Sequence, residues 1–242
     1  MSEHEFASLH VPGKPLVLPN VWDVAGARAL VAAGFRAVGT TSLGVAASHG
    51  LPDGEDATLD ETLRLVSRLA TLPVLVTADI ERGSVAAAVA AAEAGAVGVN
   101  VEDAFGDAAV HASLIRDIKR AVPGLFVNAR TDTHWLRVGD VGEAVRRMRM
   151  YRDAGADGVF VPGVREPGDI ARLVAAADVP LNVLAQPGGL TVAELGELGV
   201  ARISLGSLLF RAALAALVET AMAVRLDNHV RTDLPTYQEV NG

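Results

Sequence analysis

The stretch PVLVTADIERGSVAAAVAAAEAGAVGVNVED, residues 73–103, contains a complete strand–helix–strand unit. Its apolar ends are typical of buried strands, the Ala-rich middle favours a helix, and the Gly of EAG is a common helix stop. The first strand ends in Asp79 and Glu81, and the second ends in Glu102 and Asp103. Because side chains alternate along a strand, Asp79 and Glu81 are expected to point to the same side. The unit therefore predicts two buried strands with acids at their carboxyl ends.

The same unit recurs along the whole chain. The predicted strands cover residues 15–20, 37–42, 73–79, 97–103, 125–132, 157–163, 180–185 and 201–206. Helical patterns separate them, and no extended linker interrupts the series. Eight strand–helix units in 242 residues predict a single (β/α)8 barrel, which commonly has about this size. A doubly wound open sheet is the alternative, but no Gly-rich fingerprint follows the first strand.

We expect one domain over residues 1–242, with residues 1–14 as an N-terminal extension and 228–242 as a polar C-terminal tail. The stretch SLLFRAALAALVETAMAVRL, residues 207–226, is strongly apolar and predicts the eighth helix, facing the core. A helix that is apolar nearly all round must be covered, so packing against a partner subunit is the alternative.

Composition excludes several classes of function. The net charge of −8 argues against a nucleic-acid or acidic-membrane partner, which would need a basic face. No apolar run is long enough to span a membrane, and the N-terminus does not resemble a signal peptide, so a cytoplasmic protein is expected. The absence of Cys excludes disulfides, thiolate metal sites and cysteine nucleophiles. The two lysines, Lys14 and Lys119, lie outside the predicted pocket, which argues against Schiff-base chemistry.

The candidate site lies at the carboxyl ends of the strands, where barrels of this kind carry their chemistry. Asp79, Glu81 and Glu102 are hard oxygen ligands, and Asp53 is available from a loop. Such a set favours Mg²⁺, with Mn²⁺ as the alternative, over Zn²⁺. Asp103 is explained at least as well by capping of the following helix.

An anionic substrate is indicated by Arg130, which ends the fifth strand and is either a partner of nearby acids or a clamp for a carboxylate or phosphate. Hydroxyl and backbone N–H donors are available around Thr41, Ser42 and Leu43. A cation facing an arginine is what a chelating 2-oxo acid needs. Further candidates at strand ends are Trp22, Asp23 and Gln186.

The six histidines give weak signals. His134 lies close enough to Arg130 in the sequence to reach the site. His4, His10, His111 and His229 are expected at the surface. Since none has a convincing nucleophile beside it, a Ser–His–Asp hydrolase is not supported.

Several stretches together resemble the isocitrate lyase / phosphoenolpyruvate mutase superfamily, in its phosphoenolpyruvate mutase-like and carboxyphosphonoenolpyruvate mutase-like branch. They are LPNVWDVAGARALVAAGFRAVGTTSLGVAASHGLPDGE, ADIERG, NVEDA, NARTD and LGVARISLGSLLFRAAL, in order from about residue 15 to 222. The resemblance implies a (β/α)8 barrel, often with its last helix exchanged between subunits, in a homo-oligomeric dimer or tetramer. It also implies Mg²⁺-dependent making or breaking of C–C or P–C bonds in small 2-oxo acids through an enolate.

The resemblance also implies roles for individual residues. Asp79 would ligate the metal, and Asp53, Glu81 and Glu102 would hold it directly or through water. Arg130 would bind the substrate carboxylate, with Thr41 and the backbone around Ser42 and Leu43. Trp22 and Asp23 match the motif of the first strand, and Asp23 would position the site.

One departure from the family pattern bears on the reaction. Lyases of the family carry a Lys-x-Cys-Gly loop after the fourth strand, whereas this chain reads EDAFGDAAVHASLIRDIKRAV and has a short loop without Cys. Isocitrate and methylisocitrate lyase activities are therefore not expected. Oxaloacetate-type decarboxylation is expected, and phosphonopyruvate hydrolase or phosphoenolpyruvate mutase activity is the nearest alternative. A non-catalytic 2-oxo acid binding barrel and a phosphate-binding barrel, prompted by PGG (187–189) and SLGS (204–207), stay open.

Overall fold

The structure, a computed structural model, describes residues 3–55 and 57–241. Within these residues the strands form one all-parallel sheet in the order β1-β9-β8-β7-β6-β5-β4-β3-β2. They are β1 (Leu16–Leu18), β2 (Asn20–Val21), β3 (Ala37–Thr40), β4 (Leu75–Asp79), β5 (Gly98–Glu102), β6 (Phe126–Arg130), β7 (Gly158–Phe160), β8 (Leu181–Leu184) and β9 (Arg202–Ser204). Each predicted strand is present, the first as the two segments β1 and β2 and the others with shorter bounds, and the (β/α)8 barrel is confirmed.

The barrel closes through its first strand, which Pro19 divides into two segments. Before the proline, β1 pairs with β9, and after it β2 pairs with β3. Pro19 has no N–H to donate to a ladder, but its carbonyl accepts from the Gly39 N–H at 2.9 Å. This divided first strand is the seam of the barrel, and Asn20 stabilises it. The Nδ2 of Asn20 donates to the Thr40 carbonyl, and its Oδ1 accepts from the N–H groups of Leu205 and Gly206.

Helices follow the strands and cover the outside of the barrel. Those in the described part of the chain are α1 (Glu3–Ser8), α2 (Val24–Ala32), α3 (Ser42–His49), α4 (Leu59–Leu69), α5 (Val85–Glu93), α6 (Ala108–Ala121), α7 (Val141–Asp153), α8 (Pro167–Ala177), α9 (Val192–Glu197), α10 (Leu208–Arg225) and α11 (Tyr237–Asn241). None of them is both long and apolar enough to cross a bilayer.

The N-terminal helix closes the bottom of the barrel. Phe6 is fully buried and meets the ring of Phe126 edge-on at 5.3 Å, while the His10 ring stacks on Phe126 at 4.4 Å. Within the predicted N-terminal extension, Phe6 and His10 are thus part of the core. The surface positions expected for His10 and His111 are wrong, because both are buried, His111 on the inner face of α6.

The long helix α10 does not face the core as expected. Of its side chains, Phe210 is buried, whereas Leu214, Leu217, Val218 and Met222 are at least 40% exposed. Most of the helix therefore has exposed apolar side chains and does not pack along the barrel. The core-facing prediction is therefore wrong for the single chain, and the apolar face is left for a partner to cover.

Register at the top of the barrel places the polar side chains together. Glu102 in β5 lies directly beside Arg130 in β6, and Asp79 in β4 lies beside Asn100 in β5. One layer deeper, Asn128 donates to Asn100 at 2.8 Å, and the fully buried Arg202 reaches Asn100 Oδ1 at 3.3 Å. The floor beneath the strand ends is consequently polar and fixed by hydrogen bonds.

Candidate active site

A cavity of about 190 Å³ opens at the carboxyl ends of the strands. Residues from almost every strand end contribute to its wall. They are Asn20, Thr41, Ser42, Leu43, Asp53, Gly54, Asp79, Glu81, Asn100, Glu102, Arg130, Trp135, Phe160, Pro162, Leu184, Ser204, Gly206 and Ser207. The cavity has room for a small organic acid.

Arg130 stands between two carboxylates at one side of the cavity. Its Nη1 lies 2.7 Å from Glu102 Oε2, and its Nε donates to Asp132 Oδ1 at 2.6 Å. Its guanidinium carbon lies 5.8 Å from the ring centre of Trp135 and 6.0 Å from that of Phe160. Two ion pairs and two aromatic rings therefore hold the plane of the guanidinium in one orientation.

Asp79 and Glu81 are fixed separately, at the end of β4 and just after it. The Asp79 carboxylate accepts from the Ser42 N–H at 3.5 Å, at the start of α3, and its own N–H donates to Thr40 Oγ1. Glu81 is buried and accepts from the Thr58 hydroxyl at 2.6 Å. Its φ of 53° is left-handed, which costs a non-Gly residue about 1–2 kcal/mol. The strained backbone turns Glu81 back toward the cavity next to Asp79.

The carboxylates are only partly compensated by positive charge. Burial raises the pKa of Glu102 to about 7; Arg130 opposes the shift, and the nearby Asp79 adds to it. Burial likewise raises the pKa of Asp79. Although burial opposes it, the charges of Asp132, Glu102 and Asp79 raise the pKa of Arg130, which stays protonated. The cavity therefore has an excess of acid that a cation would neutralise.

The donor set fits Mg²⁺ in its chemistry, since Asp79, Glu81 and Glu102 offer oxygen alone. Across residues 3–55 and 57–241, no three acidic or histidine side chains already converge as a closed metal cage. Mg²⁺ usually takes one or two carboxylates and keeps several waters, so an open arrangement suits it. These three residues, with Asp53 at the rim, are the ones that would hold it.

Asp103 belongs to a support beside the site and not to the cavity. Its carboxylate accepts from the N–H groups of Phe105 and Asp132, from Arg147 Nη1 at 2.8 Å and from the Tyr151 hydroxyl at 2.6 Å. Although burial opposes it, these bonds, led by that of Tyr151, lower the pKa of Asp103. The network secures Asp132, which in turn holds Arg130.

The structure brings together most of the residues that the sequence indicated. Thr41, Ser42, Leu43 and the rim residue Asp53 line the cavity with the three acids and Arg130. The other three candidates lie outside the lining. Asp23 caps α2 through Gly26 N–H, Trp22 packs edge-on against Phe210 at 5.0 Å, and Gln186 donates to the Val164 carbonyl.

Other lining residues escaped the sequence reasoning. Asn100 lies two residues before Glu102, so alternation along the strand could have identified it. Trp135 and Phe160 gave no comparable signal. Trp135 lies in a loop, and Phe160 is a single aromatic residue in an apolar strand, so neither belongs to a periodic pattern of polar side chains. Of the two glycine-containing stretches near the end of the barrel, residues 204–207 contribute to the cavity, whereas Gly189 lines a separate depression with Gln186.

Comparison with known proteins agrees with this geometry. The model of the family described as phosphoenolpyruvate phosphomutase matches residues 6–225. An uncharacterized protein of Mycobacterium tuberculosis is 46% identical over 98% of this chain and 95% of its own length. The crystal structure of a proposed phosphonomutase from Burkholderia cenocepacia is 38% identical, with a TM-score of 0.84 over 90% of this chain and 99% of that one.

Relatives with named activities catalyse different reactions. A 2-methylisocitrate lyase of Salmonella typhimurium is 35% identical over 72% of this chain and 70% of its own length. An oxaloacetate decarboxylase of Bradyrhizobium is 32% identical over 69% of this chain and 64% of its own length. The similarity thus extends across lyases and mutases and does not select one of them. The chain belongs to the phosphoenolpyruvate phosphomutase family, a family of mutase and lyase enzymes within the isocitrate lyase / phosphoenolpyruvate mutase superfamily.

Proposed function

We propose that this protein is a Mg²⁺-dependent lyase-type enzyme that cleaves a C–C bond of a small 2-oxo acid, with oxaloacetate-type decarboxylation as its reaction. The observation that carries the proposal is the placement of Arg130, fixed by Glu102 and Asp132, on a cavity with an excess of acid. An arginine binds a carboxylate, and a cation among the acids binds a second oxygen of the same chelating substrate.

Different residues of the chain would bind the substrate carboxylate and the metal ion. Arg130 would bind the substrate carboxylate, and the backbone at Ser42 and Leu43, at the N-terminal end of α3, would donate to it as well. Asp79, Glu81 and Glu102 would hold Mg²⁺ directly or through water, with Asp53 at the rim. When bound, Mg²⁺ supplies Lewis-acid stabilisation of the charge that develops on the oxo oxygen.

The missing acid/base residue favours decarboxylation over aldol-type cleavage. When CO₂ leaves oxaloacetate, the electron pair of the broken bond forms the enolate of pyruvate, and a proton from water then completes pyruvate. This needs no cysteine acid, and the chain contains no Cys. Cleavage of methylisocitrate with a cysteine acid/base is not available to this chain, even though a relative carries that name.

A second candidate is hydrolysis or rearrangement of phosphonopyruvate. It is favoured by Gly206 and Ser207, which line the cavity at the N-terminal end of α10. Backbone N–H groups at a helix N-terminus bind phosphoryl oxygens well. A phosphonate group there, with the carboxylate on Arg130, would fill the same cavity.

The products of three substrates separate these possibilities. Purified protein, with Mg²⁺ or with EDTA, is given oxaloacetate, phosphonopyruvate and methylisocitrate, and pyruvate, CO₂, phosphate, phosphoenolpyruvate and succinate are measured. We expect Mg²⁺-dependent release of pyruvate and CO₂ from oxaloacetate, above the rate of buffer with Mg²⁺ alone. Clear release of succinate from methylisocitrate would contradict the argument from the missing cysteine.

Two variants test the residues. Arg130→Lys keeps the charge and loses the planar fork, and we expect kcat/KM to fall on the order of 100-fold, the scale for loss of one oriented donor. Arg120→Lys is the matched control, because Arg120 is 75% exposed on α6. Asp79→Asn should abolish Mg²⁺-dependent turnover, because the variant loses a proposed metal ligand. If the wild type binds oxalate and Asp79→Asn does not, but the wild type turns over none of the three substrates, the barrel is a 2-oxo acid binding protein.

A further inference from the structure

The loop after β5 does not cover the cavity. Among the described lining residues, none comes from residues 103–107, which join β5 to α6. Asp103 holds this loop down through its bonds to Arg147 and Tyr151, and Arg147 also donates to the Gly106 carbonyl at 2.9 Å. The loop is therefore fastened to α7, beside the barrel, and the wall at the mouth has to come from another element.

The loop after β6, residues 131–140, supplies that wall. Its base is anchored, with Thr131 and Thr133 fully buried and the Leu136 N–H donating to the Asp132 carbonyl at 2.9 Å. Its tip is apolar and open: Trp135 is 53% exposed and Leu136 is 50% exposed. Of these two tip residues, Trp135 lines the cavity. An anchored loop that holds a large aromatic ring at a cavity mouth is arranged for contact with a ligand.

The position of the Trp135 ring follows from the packing of its neighbours. The ring lies over the guanidinium of Arg130, with Phe160 at a similar distance. Gly163 has a φ of +85°, and a Cβ on it would lie 2.9 Å from the carbonyl carbon of His134. The backbone next to Trp135 is thus packed directly on the β7–α8 loop. The indole therefore lies beside the guanidinium group that an acid would bind.

We propose that Trp135 is a specificity-determining residue, whose indole forms the wall beside Arg130 and selects small 2-oxo acids over larger branched acids. The inference rests on the proposed function, because it takes Arg130 as the carboxylate clamp. The cavity, with the indole as part of its wall, has a volume of about 190 Å³. Oxalate and oxaloacetate are small acids, and in this proposal the indole limits the room beside Arg130 for a branched tricarboxylate such as methylisocitrate.

Oxalate binding in the presence of Mg²⁺, measured by calorimetry, tests the contact. Trp135→Ala should bind oxalate about two- to five-fold more weakly, the loss expected for one partly exposed cation–π contact. Trp135→Phe, which keeps a ring over Arg130, should stay within about two-fold of wild type. Leu136→Ala is the matched control, since Leu136 is equally exposed on the same loop tip and should leave the affinity unchanged.

Competition between acids tests selectivity. Methylisocitrate should displace oxalate from Trp135→Ala at a lower concentration than from the wild type, while Leu136→Ala behaves as the wild type. An unchanged ratio of methylisocitrate to oxalate affinity in Trp135→Ala overturns the inference.

Fluorescence gives an independent readout, because the sequence contains two tryptophans, Trp22 and Trp135. Oxalate with Mg²⁺ should change the emission of the wild type and of Trp22→Phe but not that of Trp135→Phe. An equal change in Trp135→Phe overturns the inference.

Failure of the proposed function looks different from failure of this inference. If the wild type binds no oxalate with Mg²⁺, or if Arg130→Lys binds it as tightly as the wild type, the proposed function fails. If the wild type binds oxalate and Arg130→Lys binds it poorly, but Trp135→Ala keeps the wild-type selectivity, the inference about Trp135 alone fails.

Discussion

Removal of a single hydroxyl group tests the network of Asp103 that supports Asp132 and, through it, Arg130. Tyr151 is fully buried in α7, and its hydroxyl donates to Asp103 Oδ2 at 2.6 Å. Burial beside Asp103 raises the pKa of Tyr151, so the hydroxyl stays protonated and remains a donor. The substitution Tyr151→Phe removes this donor and keeps the ring, leaving Arg147 as the remaining side-chain donor to that carboxylate oxygen.

The expected cost follows from the type of bond. A hydrogen bond to a charged group contributes about 1.5–3 kcal/mol to the free energy of unfolding. For a chain of this length, about 1 kcal/mol shifts Tm by roughly 2–4 °C, so Tm should fall by about 3–12 °C. The bond lowers the pKa of Asp103, so its contribution is present at neutral pH. It is lost as the pH falls below about 4, the range in which the unfolded carboxylate takes up its proton.

The free energy of unfolding and Tm are measured by urea and thermal unfolding at pH 7 for Tyr151→Phe and Tyr237→Phe. These are the two tyrosines of the sequence, and Tyr237 is 83% exposed, so its variant should stay within about 0.5 kcal/mol of the wild type. If the two variants have the same Tm, Asp103 does not depend on the Tyr151 hydroxyl. The view of this network as the anchor of Asp132 would then be refuted.

Three further predictions concern pH, assembly and backbone strain. Burial lowers the pKa of His111 to about 4, so the folded state resists protonation below pH 6.5 while the unfolded state accepts it. From pH 7 to pH 5 the contribution of His111 should lower the free energy of unfolding, measured in urea, by about 2 kcal/mol; His10, whose pKa burial lowers to about 3, adds a separate loss, and His111→Asn but not His229→Asn should remove the His111 part. We propose a homo-oligomer joined through α10, in which Leu217→Asp should dissociate the assembly in sedimentation while Val110→Asp, also on an exposed apolar residue, should not. Gly163→Ala should lower the free energy of unfolding by more than about 1 kcal/mol in urea titration, because its φ is left-handed and the new Cβ meets the His134 backbone; unchanged stability would contradict the close packing of that loop.

The sequence was sufficient for the architecture and for the polar strand ends. The apolar runs predict the barrel, and alternation within β4 and β5 places Asp79 and Glu102 near one another once the strands are parallel. These inferences succeed because a strand has a fixed direction and a side-chain period of two. The acids therefore lie around one cavity with Arg130, as the pattern indicates.

Residues beyond the strand ends were harder to place. The direction of Asp23 or Gln186 depends on how the loop backbone turns. In the structure Asp23 caps α2, and Gln186 donates to the Val164 carbonyl in the β7–α8 loop. Trp135 reaches the cavity from a loop whose course is set by contacts with the next loop. His10 was expected at the surface, but the short helix α1 carries it into the barrel bottom. Such outcomes depend on tertiary packing, which has no local pattern in the sequence.

The seam at Pro19 has a consequence for the order in which the molecule is completed. Asn20 leaves the ribosome early, yet the N–H groups that its Oδ1 accepts belong to residues 185 and 186 positions later. Until β9 has been synthesised, the first strand lacks one neighbour and the wall formed by Ser204, Gly206 and Ser207 does not exist. Contacts of such sequence separation form slowly. A nascent chain that stops before Arg202 therefore presents an open sheet edge, and ligand binding can begin only when nearly the whole chain has emerged.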